Sequence, residues 1–224
     1  ATYLYTSNIG KKMEKAIGRG NIGKVKRLLA RGEDIHYEYN LPLYLACIAG
    51  NDTIIQLLLE RGAQPAERRD MLSHAIRKCS LETIELLIKA KAWINEYGSW
   101  ISPLCVAFQR DDRSIIDLLF RYGADPVKCI DRFDDLIVNN TRSSIKNLQL
   151  CVAHGWSLPE NVLACVTNKR LIIALLQLGA DTHNVEFIEH CHSWSHEIAQ
   201  FYLEYGVHES YFADAERRAF NRRK

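Results

Sequence analysis

The chain is 224 residues long, 47% hydrophobic and 25% charged, proportions ordinary for a folded domain and unlike those of disordered or fibrous chains. Lys plus Arg number 29 against 27 for Asp plus Glu, and a net charge of +2 gives no reason by itself to expect nucleic acid or a membrane as partner. No apolar run approaches the roughly 20 residues that a bilayer-spanning helix needs, so a soluble protein is expected.

In chain order, the opening ATYLYTSNIGKKMEK has no long apolar core and no cleavage-site pattern. Residues 1–10 are therefore expected to be an N-terminal extension and not a secretory signal. From there one phrase recurs. VKRLLARG ends at Gly32, IQLLLERG at Gly62, IELLIKAK at Lys91, IDLLFRYG at Gly123, LQLCVAHG at Gly155, IIALLQLG at Gly179 and AQFYLEYG at Gly206. These ends lie 30, 29, 32, 32, 24 and 27 residues apart. A period in this range marks a solenoid, in which each unit buries its apolar face against its neighbours. A single domain through residues 1–224 is expected. Its last segment, 209–224, reads as a capping helix: Ser210 can cap it, Tyr211, Phe212, Ala215 and Phe220 supply an apolar side, and its basic residues would also suit a basic arm.

The stretch PLYLACIAGNDTIIQLLLERG, from Pro42 to Gly62, shows the grammar of one unit. Pro42 suits the first turn of a helix, because its fixed φ fits there and its missing N–H would have had no partner. Gly50-Asn51 breaks that helix. Ile54, Ile55, Leu57, Leu58 and Leu59 form a second at i, i+3, i+4 spacing, and Gly62 stops it. Ala16 to Asn21 repeats the Ala46 to Asn51 break 30 residues earlier, and Ser102-Pro103 opens a later unit with a cap followed by a helix-starting proline.

LPLYLACIAGN followed by LLLERGA, with SPLCVAF at 102–108 and RYGADP at 121–126, resembles the ankyrin repeat, whose signature is TPLHxA, a glycine turn and an LLxxGA ending. The resemblance spans roughly residues 11–208 and is best in the second, fourth and sixth units. It implies an all-α ankyrin-repeat solenoid of about seven helix-turn-helix units. Leu41 and Tyr44 stand where the signature has Thr and His, so the usual hydroxyl–imidazole bonds between turns cannot form in that unit. Nine residues separate Gly32 from Pro42 and eleven separate Lys91 from Pro103, which implies β-hairpin fingers that are clipped.

Seven dispersed cysteines without a CxxC argue for free thiols packed as small hydrophobes in a reducing, cytoplasmic or nuclear, compartment. No GxSxG, phosphate-cradling loop or HExxH occurs, so neither catalysis nor a cofactor is expected. His190, Cys191, His192 and His196 hint at a metal site, since the last two histidines would share a helix face. No acidic ligand stands in register, and ordinary histidines of a divergent helix pair are the preferred reading.

Function is sought on a surface. The residues just before the turn that ends each first helix include Arg19, Arg77, Lys78, Arg110 and Arg142, with no acidic residue in that column, and Arg68 and Arg69 are candidates to extend it. Such a basic groove suits an acidic or phosphorylated protein partner, because guanidinium groups bind carboxylate and phosphate in bidentate fashion. The competing reading is that Lys and Arg simply favour helix C-termini. Tyr37, Tyr39 and Trp100 are candidate aromatic anchors, whereas Trp93 is expected to cover a helix end. The leading expectation is a monomeric, non-enzymatic interaction module, an effector or regulator that blocks or recruits its target. Nucleic acid held in the same basic groove is the alternative.

Overall fold

A computed structural model describes residues 2–95, 102–126, 142–158, 162–165 and 169–181. The chain separates into two compact units, Ala1–Asp131 and Arg132–Lys224. Among the described residues there are helices and turns but no strand.

The first unit is built from helix pairs: α1 (Thr2–Gly18) with α2 (Ile22–Ala30), α3 (Tyr37–Ala49) with α4 (Asp52–Glu60), α5 (Met71–Ile76) with α6 (Leu81–Lys89), and α7 (Pro103–Arg110) with α8 (Arg113–Arg121). Helix α1 takes in the segment expected as an N-terminal extension. The partners of each pair pack on one another. The odd-numbered helices stack in order as one layer and the even-numbered helices as a second. The recurrent phrase supplies the core of that second layer. Val25, Leu28 and Leu29 on α2, Ile55 and Leu58 on α4, Ile84, Leu87 and Ile88 on α6, and Ile116 and Leu119 on α8 are all buried. Their i, i+3, i+4 spacing makes one stripe per helix, and each buried side chain contributes about 1.5–3 kcal/mol.

Local chemistry fixes the ends. The second helix of every pair starts at a residue whose side chain accepts a backbone N–H of the first turn: Asn21 from Lys24 at 2.9 Å, Asn51 from Ile54 at 3.1 Å, Ser80 from Thr83 at 3.3 Å, and Asp112 from Ser114 and Ile115 at 3.1 and 3.4 Å. Ser102 does the same for α7, accepting from the Cys105 N–H at 3.2 Å, with Pro103 behind it as expected. The phrase ends in a left-handed residue. Gly32, Gly62, Gly123, Gly155 and Gly179 have φ between 76° and 89°, and Lys91 takes the same turn at φ 73°. The N–H of the following residue then returns to a carbonyl five residues earlier, from Ala63 to Leu58 at 3.0 Å and from Ala124 to Leu119 at 2.9 Å. The connection 31–36 contains only turns and bends, so the finger expected to be clipped before Pro42 forms no hairpin. The connection 61–70 holds turns and one short 3₁₀ segment, Pro65–Glu67, and the one between Lys91 and Pro103 lies partly outside the described residues.

The second unit contains α9 (Arg142–Ala153), a 3₁₀ turn (Val162–Cys165) and α10 (Lys169–Gln177), which packs on that turn. Leu148, Cys151, Trp156, Val162, Leu163, Ile172 and Leu175 are buried there. No helix among the described residues is long and apolar enough to cross a membrane. Trp100, the repeat ending at Gly206, the His190, Cys191, His192 and His196 set and the 209–224 segment lie outside the described residues.

Candidate functional site: the stacked turns and the connection edge

The turns between the two helices of successive pairs lie directly on one another. A Cβ built on Gly20 would come within 3.2 Å of the Asn51 Nδ2, and one on Gly50 within 2.6 Å of the Lys78 Cβ. The Ser80 N–H donates to both Asp52 carboxylate oxygens at 3.3 Å. The Arg110 Nη1 donates to the Ile76 carbonyl at 2.7 Å and to the Cys79 carbonyl at 2.8 Å. Equivalent positions at the C-terminal ends of α1, α3, α5 and α7 therefore follow one another along an edge.

On that edge Arg19, Arg77 and Lys78 are exposed, and none of them makes a side-chain hydrogen bond or ion pair with another described residue. Arg110 is different. Its guanidinium bonds the end of α5 and the turn that follows it, and its second terminal nitrogen stands 3.6 Å from the Asp112 carboxylate. It ties pair three to pair four. Arg142 opens α9 in the second unit.

Arg68 and Arg69 lie at the other end of the odd-numbered helices. Glu38, Tyr39 and Asn40, at the start of α3, have φ of 48°, 57° and 55°, three successive left-handed residues of which none is glycine. Such residues cost about 1–2 kcal/mol each for L-amino acids. The neighbouring pair holds the turn in place. Arg68 donates from Nη2 to the Glu38 carbonyl at 2.9 Å and from Nε to the Tyr39 carbonyl at 3.0 Å, while its guanidinium lies 4.4 Å from the centre of the Tyr44 ring. Buried Asn40 donates to the Glu67 carboxylate and accepts the Gln64 N–H at 2.9 Å. Regular right-handed α3 follows Asn40, which leaves Pro42 in its first turn as expected.

The aromatic anchors divide as well. The Tyr37 hydroxyl donates to the Gly10 carbonyl on α1 at 3.2 Å, and burial, helped by Glu14, Glu38 and Asp34, pushes its ionisation well above the usual phenol range. Tyr39 is 72% exposed. Trp93 donates its indole N–H to the Ala66 carbonyl at 2.7 Å and lies 5.9 Å beneath the Arg69 guanidinium, so it covers the 3₁₀ segment.

A polar link that residue types alone did not disclose joins pairs two and three. Where the signature histidine is replaced, the Tyr44 hydroxyl donates to the Asp70 carboxylate at 3.2 Å and lies 3.2 Å from the His74 Nε2, with the two rings edge to face at 5.2 Å. The hydroxyl–imidazole bond lost with the signature is thus replaced by another between different positions. Among the described residues, Cys47, Cys79, Cys105 and Cys151 are buried. Burial raises the Cys47 thiol, and burial with the nearby Asp52 carboxylate pushes Cys79 up to about 12, so both remain protonated and inert at neutral pH.

Helical hairpins stacked in two layers, each closed by a left-handed residue and sewn to the next by side chains, define a repeat protein. The repeat is the ankyrin repeat: residues 13–98 match the family model for ankyrin repeats, three copies, and this stretch of the chain is an ankyrin-repeat array. Over 90 residues, 38% of this chain, it is 37% identical to the transient receptor potential channel pyrexia of Drosophila melanogaster, of which the match covers 9%. Over 134 residues, 54% of this chain, it is 27% identical to the ankyrin repeat, SAM and basic leucine zipper domain-containing protein 1 of Dasypus novemcinctus, of which the match covers 28%. The match thus spans less than a third of the length of either relative.

Proposed function

We propose that this chain is a non-enzymatic protein-interaction module whose stacked-turn edge captures an acidic or phosphorylated surface of its partner. Ankyrin repeats are in general protein–protein interaction modules, and the family match carries that coarser statement. The observation behind the finer one is the exposure of Arg77 and Lys78, with Arg19 two turns away, on turns that lie on one another and leave these cations without a side-chain partner among the described residues. Fixed spacing along a rigid stack favours recognition, because little order is lost on binding. Tyr39 supplies an aromatic anchor on the connection edge, held out from α3 by the turn that Arg68 secures. Occupancy of this kind blocks or recruits a target without chemistry.

Capture from lysate of the native cell, compared between the chain and its Arg19→Ala, Arg77→Ala, Lys78→Ala variant, tests the reading. Exposed ion pairs contribute about 0.2–1 kcal/mol each, so a partner held on this edge should be retained roughly tenfold less well. Equal recovery by a variant with an unchanged melting temperature rejects the edge.

A further inference from the structure

The charge of the chain is unevenly divided. Residues 11–32 hold eight basic residues against one acidic residue, a local net of +7 in a chain of +2, so the remainder is net negative. On α1, Lys11 and Lys15 stand four apart and share a face, with Lys12 beside them and Arg19 in the turn that follows the helix. Lys24 and Arg27 on α2 and Arg31, which caps its C-terminus, form a second row at intervals of three and four, with Lys26 beside it. Lys24 is half-buried and the others are exposed. No ion pair among the described residues neutralises any of the eight, and the one polar side-chain contact in the set is Arg27 to the Gly23 carbonyl at 3.4 Å. The acid of the segment, Glu14, lies near Tyr37, on the side of α1 that meets α3.

We propose that the exposed faces of α1 and α2 bind the phosphate backbone of nucleic acid without regard to sequence. Residues four apart on a helix are about 6 Å apart along its axis, a spacing that lets successive cations reach successive phosphates of one strand. Over residues 10–32, which carry all eight cations, no large apolar side chain is exposed; those exposed among the described residues are Tyr39, Leu86 and Trp93. A protein interface draws its strength from a buried apolar or aromatic anchor, and an interfacial helix inserts an apolar face into lipid. A polyanion needs only the cations, because released counterions supply the free energy. The acidic balance of the rest of the chain would keep the polymer on this pair. Arg19 belongs to both surfaces, but the other seven cations lie away from the Arg77 and Lys78 turns, and the proposal does not depend on the reading given to those turns.

Fluorescence anisotropy of a labelled mixed-sequence DNA duplex, titrated with the full chain over a salt series, is the test. The logarithm of the affinity should fall against the logarithm of salt with a slope of about −4.5 to −6.3, for about five to seven phosphates neutralised. The Lys11→Gln, Lys15→Gln, Arg31→Gln variant changes exposed side chains that hold nothing in the fold. It should melt at the same temperature and reduce the magnitude of the slope by about 3. Absence of duplex binding at low salt would overturn the proposal, as would unchanged binding by the variant. Equal binding to polyglutamate, or binding to phosphatidylserine vesicles without binding to the duplex, would overturn it in favour of an acidic protein or a membrane.

Discussion

Lys91 occupies, at φ 73°, the place that glycine holds at the corresponding ends of five other described repeats. The left-handed conformation costs an L-residue about 1–2 kcal/mol, part of which glycine gives back through a freer unfolded chain. Lys91→Gly should therefore stabilise the protein by about 0.5–1 kcal/mol in urea denaturation. Two glycines separate strain from crowding. A Cβ on Gly62 meets open space, so Gly62→Ala should cost only the backbone term, about 1 kcal/mol. At Gly50 the added carbon would collide with the Lys78 Cβ as well, and Gly50→Ala should cost about 3 kcal/mol. Equal losses in the two variants would show that the turns of pairs two and three do not touch.

The elements are joined by bonds that run from one pair to the next, and the sequence disclosed the elements better than the joints. Pro42, Ser102 and the terminal glycines were legible because their roles depend on residues within one turn of the chain. The commitments of Arg110 and Arg68 span 29 to 34 residues, and nothing in a local window separates them from the freely exposed Arg77. Arg110→Ala should remove this donor from two carbonyls, Ile76 at the end of α5 and Cys79 in the turn after it, and destabilise the protein by about 2 kcal/mol, read by thermal or urea unfolding. If it weakened partner capture alone, Arg110 would belong to the binding edge. Tyr37 makes the joint between α1 and α3 sensitive to alkali. Its raised ionisation means that the bond is fully present below about pH 10, where an unfolded phenol begins to ionise, and that stability falls as pH rises beyond it. Tyr37→Phe should lower stability by about 1 kcal/mol at neutral pH and flatten that alkaline decline.

At the scale of the molecule, recurrence read from the sequence gave the architecture of the first unit, while the surface chemistry needed the fold to sort it. A column chosen by position mixed exposed cations with cations that hold the stack together, and the larger charge feature, the first helix pair, would have appeared in a windowed sum of charge. Left-handed residues 38–40 were not legible at all, since Glu-Tyr-Asn has none of the glycine that such a conformation usually requires. For those three residues the main chain winds opposite in hand to the regular helices around it. Amino acids of inverted stereochemistry prefer that winding, so D-tyrosine placed at position 39 by chemical ligation should raise the melting temperature, whereas D-residues within α4 should lower it.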